Sequence, residues 1–249
     1  MKSIFPKTPA TRLSQRQQKI LRLLGYIFVI ATASIGISSG FSGYFLSTEN
    51  YAELTSAFYG EVYALSLISK KIPHSLGLFF HISIGTIYML MAIYQFNTQA
   101  RRRSPQAHRA IGKVFVITGA LTGITGLYIA IVMPFAGQVE RAFATVTALW
   151  FLYALYMGYG HAKQRKYLLH REWMIRSFAV ALAAVAMRFP LIIMNRLLSL
   201  DSMVLFILAA GSAHLVVLTV AEWWIRSTRQ GRAETTGKKH VVAQQATSV

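Results

Sequence analysis

Six stretches of about twenty apolar residues follow one another along this chain, a length set by what a bilayer demands. They cover residues 23–45, 76–96, 114–135, 142–160, 177–200 and 203–225. A hydrocarbon core of about 30 Å takes about 20 residues at 1.5 Å each, so every stretch is long enough to cross. Inside lipid each backbone N–H and C=O must find an internal partner, which leaves only helices and closed barrels. Barrel strands alternate polar and apolar residues over about ten positions, whereas these stretches are apolar all round. The expected fold is therefore all-α, an integral membrane bundle of six transmembrane helices. A content of 54% hydrophobic and only 14% charged residues agrees, because soluble domains carry about 25% charged residues.

The formal net charge of +18 invites a nucleic-acid reading, but the cations form no single binding face. They occupy alternate connections: Lys2, Lys7, Arg12, Arg16, Lys19 and Arg22 before the first span, and Arg101, Arg102, Arg103, Arg109 and Lys113 between the second and third. Lys163, Arg165, Lys166, Arg171 and Arg176 lie between the fourth and fifth, and Arg226, Arg229, Arg232, Lys238 and Lys239 follow the sixth. The other side carries only Lys70, Lys71, Arg141 and Arg196, mixed with Glu49, Glu53, Glu61, Glu140 and Asp201. Cytoplasmic connections hold the Lys and Arg excess, so both termini are expected inside a bacterial inner (plasma) membrane, N-in and C-in. Anionic lipid headgroups are the natural partners of such a face, and no nucleic acid is expected.

Residues 1–22 read as a basic cytoplasmic arm and 227–249 as a tail disordered by composition. The first span is too long for the 7–15-residue apolar stretch of a signal peptide, so it reads as retained. The connection from Ser47 to Pro73 contains Tyr51, Phe58, Tyr59 and Tyr63, a composition suited to an interfacial helix. Gly36 and Gly40, and again Gly119 and Gly123, are spaced for close approach of helix backbones. The absence of cysteine removes thiolate ligation, iron–sulfur clusters and disulfides.

Within the fifth span, Arg188 lies about 18 Å beyond Arg176 along a helix axis, too deep to reach a headgroup easily. Placing an Arg at that depth costs about 2.5–3.5 kcal/mol on insertion scales, so it should face the bundle, with Ala181, Ala184 and Asn195 on its side. It is read either as an interhelical clamp or as a holder of an anionic group. In the second span His81, Gly85, Tyr88, Ala92 and Gln95 share one helical stripe. His214 is near the middle of the sixth span, and Glu222 has Arg226 as an i+4 partner. His108 and His170 stand at equal depth at the inner ends of the third and fifth spans, a symmetry that suits two axial ligands of one haem b iron.

The order of His81, Gln95, "RRRSPQAHRAIGKVFV", "HREWMIRSFAVALAAVAMR" and Arg188 resembles the DUF2306 family of predicted bacterial membrane proteins. The likeness covers roughly residues 76–200 and implies a topology and a site rather than a reaction. Lys113 stands where that pattern usually has Arg, which weakens bidentate anion binding there. By looser analogy, histidines at span ends look like those of b-type cytochromes of the b561 or ferric-reductase kind. The leading expectation is a small haem b redox protein, with His108 and His170 as metal ligands and Arg109, Arg171 or Arg176 on the propionates. His81, Gln95 and Arg188 would complete one polar interior, with Arg188 facing an anionic partner or a quinone. The alternatives are a transporter or lipid-interacting protein that binds an anionic small molecule at Arg188, and a non-catalytic scaffold.

Overall fold

The computed structural model describes residues 14–71 and 74–246. Residues 1–13 of the expected arm, 72–73 of the first connection and 247–249 lie outside the described residues. The elements are α1 (Gln15–Phe45), α2 (Thr48–Tyr59), α3 (Glu61–Lys71), α4 (Ser75–Gln95), α5 (Thr98–Arg103), α6 (Pro105–Val132), α7 (Gly137–Lys163), α8 (Tyr167–Ala186), α9 (Arg188–Leu197) and α10 (Ser202–Ala246). No strand occurs among the described residues, and six segments are long and apolar enough to cross a membrane, so the expected all-α bundle is the fold.

The helices outrun the apolar stretches, because a helix continues through polar residues once its backbone bonds are running. Thus α6 starts at Pro105, capped by Ser104 accepting from the Ala107 N–H, and the basic entrance around His108 is helical. Likewise α10 continues to Ala246 through residues whose composition reads as a tail. The first connection holds two helices, α2 and α3. The fifth segment is interrupted at Met187, a single turn residue between α8 and α9. Pro190 explains the interruption, since it has no N–H for the Ala186 carbonyl and its ring crowds that carbonyl.

Helices α4, α6, α7 and α8 enclose an aromatic core in which Tyr88 is central and fully buried. Its ring stacks on Phe115 at 4.4 Å and meets Phe151 edge-on at 5.7 Å, while its hydroxyl reaches Ser177 at 3.5 Å. A second cluster of Phe135, Leu191, Leu205, Phe206 and Ala209 joins α9 to α10. Both glycine pairs serve packing inside the chain. Gly36 lies against Val185 of α8 and Gly40 against Ile82 of α4, which seats α1 in the groove between them. Gly119 faces Tyr88 and Leu155, and Gly123 faces Leu152 and Phe151.

Two carboxylate–guanidinium pairs tie α8 to α10. Glu172, 1% exposed, accepts from Arg229, with Nε at 2.7 Å from Oε1. Glu222 accepts from Arg176 at 2.5 and 3.1 Å. The i+4 pairing of Glu222 with Arg226 gives way to this bridge, because a neighbouring helix offers a bidentate guanidinium that Trp173 also holds, its ring centroid 5.0 Å away.

Candidate functional site

The polar residues separate into two groups at opposite ends of the bundle. His81 and Gln95 share a stripe of α4 but stand about 21 Å apart along it, so the single interior that the sequence suggests is divided. The aromatic core around Tyr88 fills the space between the two groups.

Arg188 organises the group at the end covered by α2. The α8–α9 break makes it the first residue of α9, and its Nη1 donates to the Val185 carbonyl at 3.3 Å. It also hydrogen-bonds the hydroxyl of Tyr59, and Tyr51 and His81 lie within its electrostatic reach. The guanidinium is thus turned towards side chains of α2 and α4 rather than towards acyl chains. His81 is fixed against α6, its Nδ1 3.0 Å from Thr125 Oγ1 and its ring bonded to the Thr122 backbone. Gly126 leaves room for that ring, since a Cβ there would come within 3.3 Å of it.

The cover over this group follows from the pattern of α2. Tyr51, Thr55 and Tyr59 recur at every fourth position and form one face, with Tyr51 and Thr55 buried. Glu49 and Glu53 occupy the exposed side. Arg196, in the last turn of α9, donates to the Ala57 carbonyl at 2.6 Å. That carbonyl is in the last turn of α2, where the helix has no partner for it and a cation is favoured by the dipole. Asn195 packs on the junction of α2 and α3, its Oδ1 3.0 Å from where a Cβ on Gly60 would stand. Gly60 has φ +91°, which lets the chain turn sharply into α3. Burial pushes the Tyr51 phenol up, opposed by its bond to Thr55 and by the Arg188 charge. Burial likewise pushes Tyr59 up against the pull of Arg188. Both phenols therefore stay protonated at neutral pH.

Of the residues expected from the sequence, Arg188 and His81 lie here, and Asn195 packs beside Gly60. Tyr51 and Tyr59 were recognised only as interface aromatics, and Thr55, Thr125 and Arg196 were not recognised. The every-fourth-residue pattern Tyr51–Thr55–Tyr59 is the signal that would have found the cover.

At the basic end, His108, His170 and Arg101 are within electrostatic reach of one another. Gln95 donates to the His108 carbonyl at 3.2 Å, and Gly112 lies beside the Gln95 amide. The Nδ1 of His170 is 2.8 Å from the Gly158 carbonyl. A carbonyl only accepts, so the proton is on Nδ1 and Nε2 is left as an acceptor, the arrangement that metal-ligating histidines use. His108 Nδ1 is buried with no hydrogen-bond partner among the described residues. About two turns into the bundle, Phe96 meets Phe178 at 5.0 Å and Phe115 at 6.3 Å. Among the described residues no three His, Asp or Glu side chains converge as a set for a metal ion. Of the arginines expected near propionates, Arg109 is exposed, Arg171 donates to Thr228 at 2.8 Å, and Arg176 is engaged by Glu222. His214 in α10 bonds the Ala210 carbonyl at 2.8 Å against the edge of Phe143, apart from both groups.

Six long apolar helices folded around a buried aromatic core, with ionic pairing held at one end, define a multi-pass membrane protein. The family described as "Predicted membrane protein (DUF2306)" matches residues 78–225, more than half of the chain, and the chain belongs to that family. No curated protein and no solved structure is similar to it.

Proposed function

We propose that this protein binds an anionic ligand at Arg188, in the half of the membrane covered by α2. One observation carries the reading: a guanidinium at span depth faces two phenols and an imidazole contributed by other helices. Arg188 presents several N–H donors and a positive charge, which favours a ligand rich in acceptors, such as a carboxylate or phosphate group. A quinone carbonyl would use the same donors. The distribution of basic connections supports an inner membrane with both termini cytoplasmic, an orientation in which α2 and Arg188 belong to the external side.

Arg188→Gln removes the charge while keeping an amide, and is expected to weaken binding at least about 30-fold, as for truncating one partner of a buried charged pair. The measurement is calorimetric titration of the full chain in zwitterionic nanodiscs with inorganic phosphate and, separately, with laurate. Equal affinities for parent and variant with both probes would remove the proposal.

A second reading is a redox protein holding haem b on His108 and His170, supported by the Nδ1 anchor of His170 on Gly158. The haem iron would supply one-electron transfer; the chain would orient both imidazoles and keep their acceptor nitrogens available. Protein expressed with haem supplied is expected to show a Soret band that His170→Ala abolishes. A colourless parent protein rules this reading out and leaves the Arg188 proposal untouched.

A further inference from the structure

We propose that α2 is a hinged door over Arg188, with Arg196 as its latch and Tyr59 standing in for the ligand when the door is shut. The inference rests on the reading of Arg188 as a ligand site and adds how that site is reached. Three observations support it.

First, α2 is bounded by points that can turn. Ser47 caps its start, accepting from the Asn50 N–H at 3.2 Å, two residues after the end of α1. Gly60, with its positive φ, ends it. Second, one neighbouring element, α9, grips the helix at two points. Arg196 caps the Ala57 carbonyl and Arg188 holds the Tyr59 hydroxyl; both are on α9, about 12 Å apart along its axis. Third, the buried face of α2 is polar: the phenols of Tyr51 and Tyr59 lie within reach of the Arg188 charge, and Thr55 hydrogen-bonds Tyr51. An apolar face would serve better if packing were its only role. The Tyr59 oxygen occupies a bonding position on the guanidinium that an anionic oxygen would take with greater strength. Ligand binding thus competes with Tyr59 and loosens α2, whereas an empty site draws α2 back. The exposed Glu49 and Glu53 keep the outer side of α2 in water and disfavour a position deeper in the bilayer.

The sequence contains no cysteine, so a single introduced thiol is unique. Thr55→Cys places a near-isosteric thiol on the buried face of α2, and Glu53→Cys places one on the exposed face. The full chain in nanodiscs is treated with a membrane-impermeant sulfonated maleimide, with no ligand added. Labelling of Thr55→Cys is expected to be at least tenfold slower than that of Glu53→Cys. Adding Arg196→Ala is expected to accelerate the Thr55→Cys reaction at least fivefold, and adding Tyr59→Phe to accelerate it less. Thr118→Cys, in the bundle centre, should stay unreactive throughout. Equal rates at positions 55 and 53, no effect of Arg196→Ala, or parallel acceleration at position 118 each overturn the door. None of these outcomes bears on whether phosphate or laurate binds, so failure here is distinguishable from failure of the ligand site.

Discussion

Replacing Arg229 by Met is expected to lower the stability of the bundle by about 3 kcal/mol, the low end of the range for leaving one member of a buried ion pair alone. Glu172 is 1% exposed and receives both arms of the Arg229 guanidinium. Methionine matches the length of the arginine stem but gives the carboxylate no donor. Arg229 itself is half-exposed, so the reverse change, Glu172→Gln, leaves its cation access to water and should cost less. Combining Glu172→Gln with Arg229→Met should recover part of the loss, because the amide needs less compensation than the carboxylate. Denaturation with sodium dodecyl sulfate, followed by fluorescence of the adjacent Trp173, gives the three values. A change below about 0.5 kcal/mol for Arg229→Met, the scale of an exposed pair, would show that the pair is not shielded from water.

Gly123→Leu is the second large effect. A Cβ at this position would stand 2.5 Å from Leu152 Cδ2, 2.8 Å from Leu152 Cγ and 2.9 Å from Phe151 Cδ1. Phe151 cannot retreat easily, since its ring meets Tyr88 edge-on at 5.7 Å in the centre of the core. Overpacking of this kind costs about 1–3 kcal/mol and occasionally more, and the three carbons beyond Cβ place leucine at the upper end. The expected outcome is a collapse in the yield of monodisperse protein from detergent extracts. Gly211→Leu, where nothing lies within 4 Å of the added Cβ, should extract normally. Comparable yields for the two variants would mean that α6 and α7 do not pack as described.

The fold was legible because its main determinant is local: six apolar runs of span length need no knowledge of partners, and Gly36, Gly40, Gly119 and Gly123 announce close contacts by spacing alone. Which helix each glycine meets was not legible, since Val185, Ile82 and Leu152 carry no mark of it. The depth of Arg188 could be counted, and the inward turn followed from the cost of lipid exposure. Its surroundings could not, because Tyr51 and Tyr59 arrive from a connection whose aromatic residues equally suit the membrane surface. The partition of the polar residues was missed for a similar reason. A shared stripe on α4 fixes direction, whereas His81 and Gln95 differ in height by most of a bilayer. Glu222 shows the limit of sequence-neighbour arithmetic: Arg226 is one turn away, but Arg176 from α8 offers two parallel bonds.

The ion pairs Arg176–Glu222 and Arg229–Glu172 lie where α8 meets α10 at the basic end. At the opposite end α2 is attached by neutral acceptors, a peptide carbonyl and a phenol, which bind a cation more weakly than a carboxylate does. The α8–α10 junction is therefore tied by charged pairs, and α9 holds α2 through neutral acceptors. Asymmetric lateral pressure, as when lipid is added to a single monolayer, should strain the α2 side first while the α8–α10 clamp holds its shape.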